Sequence, residues 1–222
     1  IMNNSLTTAQ YETLSEDIQP AQRVTLLNPL SQDLAVMRQS MLFSGLETIA
    51  YNNNRKRTDL ALFEFGKTYH KVGESYTEPK HLGLFLSGNT YPETWNTPTE
   101  KTNFYQLKGY LLAIFSRLGI VDYQEEPTTE GIFQEGITLK IGQQTLASLG
   151  IVRTSILNHF GIKQAVYYAD VRWEVALEHL AKKVVYREIP KYPEVRRDLA
   201  LLLDEDVSFR AIYNICLLYT SP

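Results

Sequence analysis

Leu60-Ala61-Leu62-Phe63-Glu64-Phe65-Gly66-Lys67-Thr68-Tyr69 is a proline-free run rich in apolar and aromatic side chains. It predicts a β-strand, with Gly66 as a bulge position. Upstream stands Asn28-Pro29-Leu30-Ser31. The proline holds Asn28 extended, and Ser31 can cap a helix. From Gln32 to Asn54 the spacing predicts that helix. Leu34, Met37, Met41, Leu42, Leu46, Ile49 and Ala50 recur at three-to-four-residue intervals. Asn52-Asn53-Asn54 and Arg55-Lys56-Arg57 close it, basic residues suiting the negative end of a helix dipole.

Downstream, Lys71–Ser75 reads as a turn and His81–Ser87 as a second strand. Gly88–Lys101 is rich in Thr, Pro and Asn and reads as a loop. Phe104, Leu107, Leu111, Ile114, Phe115 and Leu118 form one apolar helical face, with Gly119 as its stop. Ile137–Ile141, Thr145–Val152 and Ala165–Val171 are strand candidates, the first two joined as a hairpin through Gly142-Gln143-Gln144. Ser155–Phe160 and Trp173–Ala181 fit short helices. Strands interrupted by helices without strict alternation predict an α+β fold on an antiparallel sheet. The character changes near Lys182, so a boundary is placed at 183: one domain over 1–183 and a shorter segment over 184–222.

The composition is that of a globular chain. Of 222 residues, 44% are hydrophobic and 21% charged, enough for a core and too balanced for disorder. A net charge of −3 excludes a whole-chain polycation, so any RNA contact must be a local patch. One cysteine, Cys216, gives no internal disulfide and no argument for secretion. No uninterrupted apolar run of about 18 residues predicts a membrane span. The first residues carry no signal-peptide pattern and read as the interior of a longer protein. The expected location is the cytoplasm.

Candidate chemistry is sparse. His70, His81, His159 and His179 are scattered and read as exposed or strand-edge residues rather than metal ligands. Cys216 has no activating partner in sequence and reads as a free or core thiol. The twelve glycines are dispersed and form no phosphate loop. Glu125, Glu126, Glu130 and Glu135 read as a solvated acidic loop. Arg55-Lys56-Arg57 reads as a solvated helix end. Lys191-Tyr192-Pro193-Glu194-Val195-Arg196-Arg197-Asp198-Leu199 is the conspicuous charged cluster, able to touch RNA phosphates and bases or to form an ordinary loop.

Two of these segments carry a resemblance. Asn28-Pro29-Leu30-Ser31, a helix with Arg38 and Leu46, Asn52, and Leu62-Phe63-Glu64-Phe65-Gly66-Lys67-Thr68-Tyr69 resemble the beta chain of bacterial phenylalanyl-tRNA synthetase. Lys191–Leu199 is similar to the opening of that chain's anticodon-binding domain. The Gly142–Gly150 hairpin and Tyr167-Tyr168-Ala169-Asp170 fit between them in order. The resemblance implies a class II synthetase-like antiparallel sheet flanked by helices, followed by a truncated ferredoxin-like domain. Residues 216–222 do not match it.

The resemblance also implies function. The family enzyme is a heterotetramer of two alpha and two beta chains that attaches phenylalanine to tRNA using ATP and magnesium. The matched module does no chemistry and packs against the alpha subunit, so no catalytic, cofactor or metal residue is expected here. A working class II site has a phosphate-holding arginine two positions before a glutamate. Beside Glu64 that position is Leu62, and the late glycine-rich arginine motif is missing, although Arg172 is near. Glu64 is expected to be a structural relic, hydrogen-bonded in the sheet. The resemblance places Asn28, Pro29, Arg38 and Asn52 at the alpha-subunit interface and Lys191, Arg196 and Arg197 near tRNA. Two rival readings stand beside it: an active ligase on its own, and a standalone amino-acid- or RNA-binding regulatory module.

Overall fold

In a computed structural model of the chain, residues 1–91, 94–96, 98–128, 131–181, 191, 195, 198–204, 207, 211–213, 215 and 216 are described. The chain divides into two units, Ile1–Lys183 and Val184–Pro222. In the first unit the strands are β1 (Leu6–Thr7), β2 (Val36–Met37), β3 (Leu60–Lys67), β4 (His70–Val72), β5 (Ser75–Thr77), β6 (Lys80–Ser87), β7 (Gln124–Thr128), β8 (Phe133–Ile141), β9 (Gln144–Val152) and β10 (Val166–Arg172). The helices are α1 (Leu42–Asn53), α2 (Phe104–Leu118), α3 (Thr154–His159) and α4 (Trp173–Glu178).

Six strands form one antiparallel sheet in the order β3-β6-β10-β9-β8-β7. Strict alternation along β6 decides its two faces. Leu82, Leu84 and Leu86 meet Leu107, Leu111 and Phe115 of α2, with Ala169, Val171 and Ala176 beside them. Phe85 points the other way and meets Leu42, Leu46 and Ile49 of α1, with Tyr168 and Ile156 of α3. So α2 and α4 cover one face, and α1 and α3 cover the other. Gly45, mid-helix in α1, lets the two layers close: a Cβ there would stand 2.2 Å from Phe85 Cζ. Asn103 caps α2 through Gln106 N, and Gly119 ends it at φ 71°, as its sequence predicts.

Three expectations change. The helix expected over Gln32–Asn54 begins only at Leu42. Before it lie a 3₁₀ turn at Gln32–Leu34 and strand β2, which pairs with Leu6–Thr7, while Arg38 N donates to Ser5 O. Those backbone partners win over the apolar spacing, and Ser31 caps nothing with its side chain. Gly66 is no bulge: its pairing with His81 continues the β3–β6 register unbroken. Glu125, Glu126 and Glu135 lie in paired strands rather than a loop, and Glu130 lies outside the described residues. The apolar run Leu199–Leu203 of the second unit is neither strand nor helix. A strand gains its hydrogen bonds only from a neighbour, and no described segment of that unit supplies one. The expected ferredoxin-like start otherwise falls largely outside the described residues.

Candidate functional site

The α1 face of the sheet holds two adjoining rows of side chains. In the first, Leu62, Phe85, Tyr168 and Gly150 lie opposite one another on β3, β6, β10 and β9. Leu62 packs against the α1 cluster, so an apolar side chain fills the place expected for a phosphate-holding arginine. In the second row stand Glu64, Gly83, Asp170, Ser148 and Thr138. Of these, Glu64 is the buried charge.

Glu64 is 1% exposed and its partners come from outside the sheet, not from it as expected. Its Oε1 accepts from Arg38 Nη1 at 2.9 Å and from Asn3 N at 3.2 Å, and its Oε2 from Asn3 Nδ2 at 2.7 Å. Arg38, 3% exposed, also donates from Nε to Lys67 O at 2.9 Å and from Nη1 to Ser44 Oγ at 3.3 Å. A charge pair stripped of water holds only when such extra bonds complete it. Gly66 gives the guanidinium its room, because a Cβ there would lie 2.2 Å from Arg38 Nη2 and 2.5 Å from Met41 Cε.

Beyond Glu64 the second row opens into a polar cleft of about 780 Å³. Its floor is a hydrogen-bonded chain that the sequence did not announce. His81 Nδ1 lies 2.8 Å from Asp170 Oδ1, His81 Nε2 lies 3.1 Å from Thr68 Oγ1, and Thr68 Oγ1 lies 3.0 Å from His70 Nε2. With His81 neutral, the carboxylate fixes its proton on Nδ1, Thr68 donates to Nε2, and His70 donates to Thr68. His81 is buried rather than strand-edge, and Thr68 is only 1% exposed, too enclosed to act as a nucleophile on a bound molecule. Burial, and then the neighbouring His81, lowers the pKa of His70. Glu16, Asp17, Glu174, Lys80 and Arg172 rim the cleft, a mixed-charge wall suited to a small polar molecule. Asp17 is already engaged, accepting from Ile132 N at 3.1 Å.

The other expected site residues are dispersed. Asn28 is exposed and Pro29 half-buried in the segment before β2. Asn52 is half-buried in the last turn of α1 and donates to Thr48 O at 2.8 Å. Arg38 faces inward on Glu64. Lys191 is exposed, whereas Arg196 and Arg197 lie outside the described residues. Cys216 is exposed. Among the described residues no group of three or more His, Cys, Asp or Glu side chains could hold a metal ion. None of their helices is long and apolar enough to cross a membrane.

Comparison with known proteins joins this geometry to a family. In structure the chain is similar to pyrrolysyl-tRNA synthetase of Desulfitobacterium hafniense, with a TM-score of 0.61 at 13% identity, covering 84% of this chain and 67% of that one. That likeness is of fold, and the fold is the class II synthetase antiparallel sheet flanked by helices. In sequence it is 42% identical to the phenylalanine–tRNA ligase beta subunit of Bacteroides thetaiotaomicron, over 97% of this chain and 28% of that protein. The corresponding subunit of Porphyromonas gingivalis is 36% identical over the same shares. That of Thermotoga maritima is 30% identical over 81% of this chain and 23% of its own length. The chain thus spans about a quarter of the length of these relatives. Residues 1–173 match the family described as the phenylalanyl tRNA synthetase beta chain CLM domain, and the chain belongs to that family.

Proposed function

We propose that this chain is a non-catalytic structural and interaction module of a phenylalanine–tRNA ligase beta subunit. It supports ATP-dependent attachment of phenylalanine to tRNA by a cytoplasmic heterotetramer of alpha and beta chains. The observation that carries the reading is Leu62, packed under α1 where a ligase would need a cation for the α-phosphate of ATP. Glu64 beside it is closed off by Arg38 and Asn3. ATP and magnesium therefore belong to the whole enzyme, and no step is assigned to them here. The surface offered to the alpha subunit centres on Asn28 and Pro29, with Asn52 at the far end of α1 and Arg38 contributing from its buried place on Glu64. Lys191, Arg196 and Arg197 form the tRNA-proximal group of the second unit.

Co-purification with the alpha subunit from the same source tests the scaffold role. A folded chain that never retains the alpha subunit overturns it. Phenylalanine-dependent exchange of pyrophosphate into ATP by this chain alone would overturn the non-catalytic reading. The polar cleft favours a second reading, a regulatory module that binds an amino acid. Calorimetric titration with phenylalanine decides it: saturable heat that His81→Phe abolishes supports this reading over the first.

A further inference from the structure

A cationic patch lies at the carboxyl end of α1, away from the polar cleft. Arg55, Lys56 and Arg57 follow the helix consecutively, and all three are exposed. Gln164 brings a fourth cation beside them. Its Nε2 donates to Asn53 Oδ1 at 3.3 Å and to Thr58 O at 2.9 Å, which staples the turn carrying exposed Lys163 to the end of α1. None of these four cations forms an ion pair among the described residues, whereas Arg23, Lys67, Lys108 and Lys140 all do. The nearest acid in sequence, Asp59, is engaged by Asn89 N at 2.8 Å. In a chain of net charge −3, this is a concentrated local excess of positive charge.

Two details separate it from an ordinary solvated helix end. Lys56 has φ 60°, the left-handed conformation that follows a helix and that glycine adopts without steric cost. A lysine there keeps a cation between Arg55 and Arg57 at the expense of backbone strain. Arg55 stacks its guanidinium 3.4 Å over the ring of Tyr51, which is 57% exposed, and donates to Tyr51 O at 3.0 Å. The stack holds the guanidinium flat against an aromatic face at the rim of the patch.

We propose that Arg55, Lys56, Arg57 and Lys163 form an RNA-binding surface that grips the phosphate backbone, with the Tyr51–Arg55 stack as a platform for an unpaired base. A polyphosphate chain can meet several of these cations at once, and a base uses the stack, which an acidic peptide would leave idle. The contact does not depend on sequence. It belongs to the first unit and is independent of Lys191, Arg196 and Arg197.

The test uses the intact subunit, purified with its partner, and a tRNA transcript beside an unstructured RNA of equal length. Arg55→Gln with Arg57→Gln weakens both RNAs by roughly tenfold near 0.1 M salt, and the slope of log K against log salt falls by about 1 to 2. Lys56→Gly removes a cation while relieving the backbone, so it weakens binding with an unchanged or raised thermal midpoint. Unchanged affinity and slope in these variants overturns the proposal. So does a loss that appears only with a lowered midpoint. Poly-aspartate of equal charge competing as well as RNA overturns it in favour of an acidic protein partner. Retention of the partner subunit reports on the scaffold reading and the salt slope on this one, so either can fail alone.

Discussion

Leu62 and Glu64 stand two residues apart on β3 and face the same side of the sheet, yet they are buried by opposite means. The row of Leu62, with Phe85, Tyr168 and Gly150, is dry and is closed by the apolar side of α1. The row of Glu64 is closed by polar partners arriving from distant segments: Asn3 from the start of the chain, Arg38 from the end of β2 and Ser44 from α1. Apolar contacts are non-directional and tolerate sliding. Hydrogen bonds to a buried carboxylate do not, so the second row fixes how the first forty residues sit on the sheet. Strand β3 thereby anchors the chain's own N-terminal segment.

The sharpest way to break that contrast is to remove one partner of the pair. Glu64→Ala leaves the Arg38 guanidinium buried without a counter-charge and should cost about 3–5 kcal/mol, read from urea denaturation. Changing both, Arg38→Met with Glu64→Leu, removes the stranded charge and should cost far less than either single change. A double variant as unstable as the singles would mean that the row is held by shape, not by charge. Gly66→Ala comes next. It pushes a methyl group into Arg38 Nη2, whose place is fixed by its bonds to Glu64 and Lys67, and should cost roughly 1–3 kcal/mol. If Gly66→Ala is silent, the guanidinium has room that the geometry denies it.

What the sequence made legible follows from the range of the forces involved. Alternation along β6 and β10 and the three-to-four spacing of α2 are local, so these elements stand close to where their residues predict them. The hairpin through Gly142 was readable from its turn residues, and Gly142 indeed takes φ 58°. The start of α1 was not, because Val36–Met37 are held extended by Leu6–Thr7, about thirty residues away. The polar chain escaped for the same reason: His81 and Asp170 are 89 residues apart and meet only across β6 and β10. Leu62, by contrast, was legible as an apolar residue that offers no side-chain cation, and it packs against the α1 cluster.

Acid sharpens the comparison from the polar side. Burial lowers the pKa of His70 in the folded state, with His81 adding to it, so the unfolded chain binds the proton more readily. The stability that His70 contributes is therefore complete above its unfolded value of about 6.5 and is lost as pH falls below it. Between about pH 7.5 and 5.5 the denaturation midpoint should drop, and His70→Asn should flatten that drop. An equal drop in the variant would place the titrating group elsewhere.

The smallest effect is expected at the centre of the dry row. The Tyr168 hydroxyl is fully buried and, alone among the buried side-chain polar atoms of the described residues, lacks a hydrogen-bond partner. Burial, and then Asp170, holds its pKa well above the usual tyrosine value, so it stays neutral. Its ring packs tilted against Phe85 at 4.7 Å and stacks with Phe133 at 6.3 Å, and those contacts do not need the oxygen. Tyr168→Phe keeps the rings and removes an unsatisfied group whose burial costs about 1–3 kcal/mol. The variant should unfold at the same denaturant concentration as the parent or a higher one. Glu64→Ala, one pleat away and also a removal of buried polarity, should do the reverse, because there the partners are left behind. A destabilised Tyr168→Phe would show that the hydroxyl serves the polar row, and that the two rows are one network rather than two.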